Sequence, residues 1–280
     1  MKRADVSGPV RPFLKWVGGK RQLLRSIETH LPKTLRGTYH EPFVGGGALF
    51  FHLAPKRARL SDTNQRLIRA YQGIQSSCEE VIELLEQHRA KHKRAYFHAQ
   101  RKRDIDREQN DAAVAAWFVY LNRTAYNGLY RVNSKNQFNV PFGRYENPAI
   151  VDAERLRACS RALKHTHLAV EDFAAVLKRA KAGDFVYFDP PYVPLSDTSK
   201  FTSYTRNGFG PSDQERLRDT ALALKRRKVR LLISNSDSEM VRDLYGKDFK
   251  LREVRARRQV NSKVAGRGHV GELLIWWEDD

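Results

Sequence analysis

The chain has 280 residues, 41% of them hydrophobic, enough for one large domain or two of ordinary size around a real core. Its formal net charge of +19 predicts a polyanionic partner, nucleic acid first. The strongest apolar stretch, Val114–Leu121, is far too short to span a bilayer, Met1–Asp5 lacks a signal peptide's apolar region, and Cys78 and Cys159 form no metal or disulfide pattern, which suits a reducing cytoplasm.

The first quarter alternates short apolar runs with glycine-rich turns. Gly18-Gly19-Lys20 suggests a phosphate loop, but that motif needs an earlier glycine and a Ser or Thr where Arg21 stands, so a Walker ATPase is disfavoured. Glu41-Pro42-Phe43-Val44-Gly45-Gly46-Gly47 reads as a strand end and a turn that lets backbone approach a ligand before a helix begins. Asp62, about twenty residues after Glu41 and behind a strand near Arg59–Leu60, is placed to accept from ribose hydroxyls. A carboxylate such as Glu41 repels phosphate and attracts a cation. S-adenosylmethionine, with ribose, ammonium and sulfonium, fits both acids.

Residues 65–122 change character. Val81, Leu84, Leu85 and His88 repeat at helical spacing, and Ala112–Leu121, with Trp117, Phe118 and Tyr120, reads as a packing helix. Asn122–Gly143 reads as loop plus hairpin turning at Asn133-Ser134-Lys135-Asn136. From residue 151 an α/β rhythm returns: helix 154–163, strand 167–170, helix 173–179, strand 185–188, helix 213–227 opened by Pro211-Ser212, strand 230–234 and strand 272–277. The pattern predicts one α/β domain interrupted by a helical insert near 65–150.

Asp189-Pro190-Pro191-Tyr192 closes the apolar run Phe185–Phe188. Two consecutive prolines stiffen the backbone and leave carbonyls without ladder partners at a strand's C-terminal end, where open α/β sheets bind ligands. The Asp189 carboxylate and the Pro190 carbonyl can each accept one N–H of a planar amino group, and the Tyr192 ring can stack on a base.

These segments together resemble the adenine-N6 DNA methyltransferases of the Dam type over nearly the whole chain. Pro12–Lys20 resembles that family's opening motif, Glu41–Gly47 its cofactor loop, and Ser61-Asp62-Thr63-Asn64 its ribose motif. Tyr120–Tyr145 resembles the target-recognition hairpin, and Asp189–Tyr192 the catalytic motif, with Ile233-Ser234-Asn235 after it. The Val264–Val270 loop does not align. The order of motifs is that of the family's α class. The resemblance implies a Rossmann-like S-adenosylmethionine-dependent domain from residues 1–64 and 151–280, with a mixed, mostly parallel sheet. Residues 65–150 then form a mostly helical recognition insert carrying the hairpin.

The resemblance also implies roles. Trp16, Lys20, Glu41, Phe43, Gly45, Gly47, Asp62 and Asp189 should meet the cofactor, although the Trp16 indole taken alone reads as core packing. Asp172 and Phe173 resemble the pair at the cofactor's adenine; Asp172 reads equally as a helix N-cap. Catalysis falls to Asp189, Pro190, Pro191 and Tyr192. Because the target amino group is paired inside a duplex, the base must be flipped out. Tyr126, unless an ordinary buried tyrosine, resembles the residue that fills the vacated stack, with Asn127 near the unpaired base. Lys15 and Arg131 resemble readers of the terminal guanines of 5′-GATC-3′, Leu129 and Pro141 can meet a thymine methyl, and Arg144 reads as a phosphate contact. Lys91–Arg94 and Arg101–Arg103 could add phosphate contacts, whereas Lys225–Lys228 reads as a solvated helix end. Double-stranded DNA is the expected partner, and neither metal nor membrane is expected. The same motifs leave open cytosine N4 or RNA adenine as target, or a non-catalytic DNA-binding protein. They also leave open whether the chain stands alone, accompanies a restriction endonuclease or belongs to a phage, and its oligomeric state.

Overall fold

Phe185-Val186-Tyr187-Phe188 is apolar at every position because both faces of its strand are covered. It lies at the centre of a sheet that the computed structural model describes within residues 10–18, 20–32, 34–191, 209–257 and 269–277. Among the described residues the strands are β1 (Tyr39–Glu41), β2 (Ala58–Asp62), β3 (Thr166–Val170), β4 (Phe185–Phe188), β5 (Arg230–Ser236), β6 (Lys250–Arg257) and β7 (His269–Trp276). They lie in the order β3-β2-β1-β4-β5-β7-β6. The first five are parallel, and β7 runs antiparallel between β5 and β6. The winding reverses between β1 and β4, and that crevice is the ligand position of an open α/β sheet.

Helices cover both faces. They are α1 (Leu24–Glu28), α2 (Ala48–Leu53), α3 (Gln65–Ser76), α4 (Cys78–Ala90), α5 (Arg94–Lys102), α6 (Asp111–Thr124), α7 (Ala153–Leu163), α8 (Pro211–Arg226) and α9 (Glu239–Tyr245). Strand alternation divides the core. Tyr39, Phe185, Tyr187 and Leu232 face a cluster with α3, α6 and α7, while Val186, Phe188, Leu231 and Ile233 face one with α8 and α9. The helix α6 is buried at nearly every position, as a helix apolar all round must be. It packs on α3, α4 and α5, so one apolar cluster runs from the sheet into the insert. Arg66 and Arg69 of α3 pair with Asp106 at 2.6 Å and Asp111 at 2.5 Å, fastening the same join.

Side chains set the helix starts. Asn64, Asn110 and Asp152 accept hydrogen bonds from Leu67, Ala112 and Arg155 backbone N–H groups at the heads of α3, α6 and α7. Pro211 opens α8, and Asp213 accepts from the Gly210 N–H at 3.1 Å. Three local expectations change. Phe173–Lys178 is a 3-10 helix. The strand β6 and the helix α9 carry no sequence prediction: β6 is an edge strand rich in charge, and α9 is only seven residues long. The hairpin turns at 133–136 as expected, with Asn136 N–H donating to Asn133 O at 2.9 Å, but its arms form no continuous ladder, only the isolated backbone bridges Ala125–Phe142 and Val132–Phe138. No helix of the described residues is long and apolar enough to cross a membrane.

Candidate active site and recognition face

The β1–β4 crevice gathers carboxylates. Glu41 ends β1, Asp62 ends β2 and Asp189 follows β4. Asp62 is partly buried and ties the glycine turn to the ribose motif: Oδ2 accepts from Gly45 N–H at 3.2 Å and Oδ1 from Asn64 N–H at 2.9 Å. Burial outweighs those bonds and lifts its pKa to about 6. Glu41 is buried, accepts from the Tyr39 hydroxyl at 2.7 Å, and is pushed by burial up to about 8.

Gly45 and Gly47 have φ of +45° and +64°, a region that favours glycine. A Cβ on Gly45 would also stand 2.6 Å from Trp16 Nε1, so the turn is glycine partly because the indole lies against it. The same indole stacks with Tyr130 and Phe118, ring centroids 6.1 and 6.4 Å away, so it both packs and lines the turn. Tyr71 of α3 donates its hydroxyl to Gly45 O at 3.0 Å. Phe43 stacks with Phe173 at 5.2 Å and meets Phe209 at 5.7 Å. Asp172 is an N-cap, accepting from Ala174 N–H at 3.0 Å, and its carboxylate also pairs with Arg216 at 2.9 Å.

Lys20 is only 4% exposed, and its ammonium reaches Asp189 Oδ1 at 2.8 Å, Glu272 Oε1 at 3.0 Å and Gly18 O at 3.1 Å. Burial opposes this charge, but Asp189 and Glu272 outweigh it and hold its pKa above the ordinary value. Burial likewise raises Asp189 to about 6, with Lys20 pulling down and Glu272 pushing up. Pro190 is buried and Pro191 half-buried beside it. Tyr192 lies outside the described residues, as does most of Val264–Val270. Glu272, Tyr71 and Tyr39 were not read from the sequence. The one signal for Glu272 was a lone acid in the apolar strand Glu272–Trp277, where an acid needs a partner.

The donor set fits S-adenosylmethionine. Three carboxylates, each raised by burial, surround a glycine turn, and the nearby ammonium of Lys20 is already shared between two acids. A cationic amino acid relieves that surplus. The open lone pairs of Asp62 suit hydroxyls.

One amide, also missed in the sequence, ties Lys15 to the turn that carries Tyr126 and Asn127. Asn122, at the end of α6 and 2% exposed, accepts from Lys15 N–H at 2.8 Å and donates to Lys15 O at 2.8 Å and Gly128 O at 2.7 Å. Lys15 is thereby held against Tyr126–Gly128, its ammonium 5.0 Å above the Tyr145 ring. Tyr126 is 48% exposed, which sets aside the ordinary buried tyrosine. Asn127 is exposed with φ of +53°. Arg131 is half-buried and donates to Asn139 Oδ1 at 2.8 Å. Leu129 is partly buried against the core, while Pro141 and Arg144 are exposed.

A seven-stranded sheet with a glycine turn and a prolyl-flanked Asp at its switch point has the architecture of an α/β methyltransferase. Residues 16–260 match the family model described as D12 class N6 adenine-specific DNA methyltransferase, and the chain belongs to that family. It is 45% identical to the type II methyltransferase M1.LlaDCHI of Lactococcus lactis over 95% of each chain. It is 42% identical to the type II methyltransferase M.MjaIII of Methanocaldococcus jannaschii, over 95% of this chain and 98% of that one. It is 37% identical to the DNA adenine methylase of Escherichia coli K12, over 96% and 95%. The protein is an adenine-specific DNA methyltransferase, whose family implies S-adenosylmethionine and a DNA substrate.

Proposed function

We propose that the enzyme methylates N6 of adenine in duplex 5′-GATC-3′ after flipping the base from the stack. The observation that carries this reading is the Asn122 clasp, which sets Lys15 beside the hairpin bearing Arg131. Two cations, one clasped beside the foot of the hairpin and one on it, suit guanines at the two ends of a short site. Arg131 has the fork that binds O6 and N7 of guanine, and Leu129 and Pro141 offer apolar contact to a thymine methyl. Tyr126, the exposed aromatic of this face, fills the gap left by the flipped base, with Asn127 beside the unpaired partner. Residues 65–150 act as the recognition unit, and 1–64 with 151–280 hold the cofactor.

The adenine amino nitrogen is a poor nucleophile because its lone pair is delocalised into the ring. Asp189 Oδ1 is engaged by Lys20, so Oδ2 and the Pro190 carbonyl take the two amino hydrogens and favour a pyramidal nitrogen. Bound S-adenosylmethionine supplies an electrophilic methyl on sulfur. Asp189 would oppose the positive charge that develops on N6 during transfer and would accept the released proton. Asp62 would hold the ribose and Glu41 the ammonium, with Trp16, Phe43 and Phe173 enclosing the remainder.

Tritium transfer from labelled S-adenosylmethionine to duplexes carrying GATC or each single-base variant, followed by nucleoside analysis, tests the reading. N6-methyladenine at GATC with at least tenfold preference over every variant is expected. Equal transfer to a variant site removes the GATC assignment.

A further inference from the structure

Asp189 is the catalytic carboxylate, yet a buried ammonium 2.8 Å away neutralises it. A neutral ion pair opposes developing positive charge on N6 far less than a carboxylate does. Glu272 Oε1 lies 3.0 Å from the same ammonium, on the β7 strand that pairs with β5. Its side chain is buried, and nothing in the chemistry of base recognition or cofactor binding calls for it. With Glu272 counted, Lys20, Glu272 and Asp189 together carry one negative charge; without it they carry none.

We propose that Glu272 is a positioning residue for methyl transfer: by sharing the Lys20 ammonium it keeps the Asp189 carboxylate charged toward the substrate amino group while Lys20 fixes its orientation. This rests on Asp189 as the amino-group acceptor. Among the described residues, the other titratable groups facing Asp189 are Tyr187 on β4 and Glu41 and Tyr39 on β1. Burial holds both tyrosines well above their ordinary pKa and so uncharged. Glu41 adds repulsion but touches Tyr39 rather than Lys20. Glu272 is therefore the acid that can divide the ammonium with Asp189.

The device has a sign that packing alone does not produce. With Lys20 present, losing the Glu272 charge leaves the neutral pair and slows transfer. With Lys20 absent, two carboxylates face each other without a cation, one takes a proton, and losing Glu272 relieves the site. The test is a cycle of Glu272→Gln, Lys20→Met and the double variant, read by single-turnover methyl transfer across pH, with circular dichroism for folding.

Glu272→Gln is expected to cut the plateau rate on the order of 10–100-fold, by analogy with outer partners of metal ligands. It should also move the acid limb to lower pH, because a nearby negative charge is gone. In the Lys20→Met background the same substitution is expected to raise the rate. Glu272→Asp, which keeps the charge, should recover part of the loss. A wild-type plateau and acid limb in Glu272→Gln, or equal slowing in both backgrounds, overturns the proposal. If Glu272→Gln alone does not fold, the Lys20→Met pair decides, and a lower rate in the double variant overturns it. Asp189→Ala is run alongside: if it stays active, the acceptor reading fails; if it is dead while the cycle is additive, only the role of Glu272 fails.

Discussion

The catalytic crevice and the recognition face use opposite means. In the crevice, regular parallel strands end together, and the candidate groups are buried or partly buried acids whose pKa values burial has moved. On the recognition face the backbone is irregular, two isolated bridges replace a ladder, Asn127 sits at positive φ, and the reading side chains are exposed or half-buried. Lys15 and Trp16, adjacent in sequence, join them: one is clasped to the 126–128 turn that leads into the hairpin and the other lies on the glycine turn. Under the proposed function, the contrast assigns reaction rate to electrostatics in the crevice and target choice to the shape of a surface loop. Substitutions in the first region should change rate with little effect on sequence preference, and those in the second the reverse.

The largest break is Asp189→Ala. Lys20 keeps Glu272, so the fold should survive, while single-turnover transfer falls about 10³-fold, as when a principal transition-state contact is removed. In the wild type the rate should fall below about pH 6 as the cluster around Asp189 gains a proton. Stability carries the opposite sign. Asp62, Asp189 and Glu41 are acids whose folded pKa lies above the ordinary value, so they favour folding at low pH. That contribution is lost as pH rises from about 4 through about 6 and about 8. Thermal unfolding of the ligand-free protein should show this decline, and a flat or rising profile over that window would contradict the burial of these groups.

Asp62→Ala sharpens the same region. Removing a charge-assisted bond to ribose should weaken cofactor binding by about 1.5–3 kcal/mol in calorimetry, with no change in base preference at saturating cofactor. Unchanged affinity would mean that Asp62 serves only the Gly45 and Asn64 amides it holds.

The two regions were also unequally legible. An apolar run closed by Asp-Pro-Pro marks β4 because a buried parallel strand tolerates little else, and the glycine turn after Glu41 marks the end of β1, so the crevice and its acids were visible in the chain. The Lys20–Glu272 pair was not, since its members lie near opposite ends of the sequence, and Glu272 reaches the crevice only as part of β7, which pairs antiparallel with β5. On the recognition face the polar, glycine-bearing stretch announced a hairpin but not its irregular pairing. Asn122 ends a helix buried nearly throughout, and nothing local says that its amide is spent on Lys15 and Gly128. Asp172, readable in two ways, proved to cap its helix because the cap is a local interaction between close neighbours.

Arg131→Ala tests the second region. Losing a bidentate contact to one guanine should relax discrimination at one terminal base pair by roughly 1–3 kcal/mol, while the rate on the best site at saturation changes little. Methylation of single-base variant duplexes measures it. Unaltered preference at every position would make Arg131 a partner of Asn139 and nothing more.

The smallest effect is expected at Arg144, and it divides the recognition face itself. Arg144 is exposed just beyond Gly143, whose N–H donates to Thr124 O at 2.8 Å and pins the end of the hairpin. A cation fixed there by backbone, outside the Asn122 clasp, suits phosphate rather than a base edge, and a phosphate contact positions without specifying. Arg144→Ala should therefore weaken GATC and unrelated duplexes by the same factor. Each phosphate contact releases condensed counterions, so the slope of log affinity against log salt should fall in magnitude by about 1. Fluorescence anisotropy on matched duplexes across a salt series reads both quantities. A loss confined to GATC, with the salt slope unchanged, would move Arg144 among the base readers.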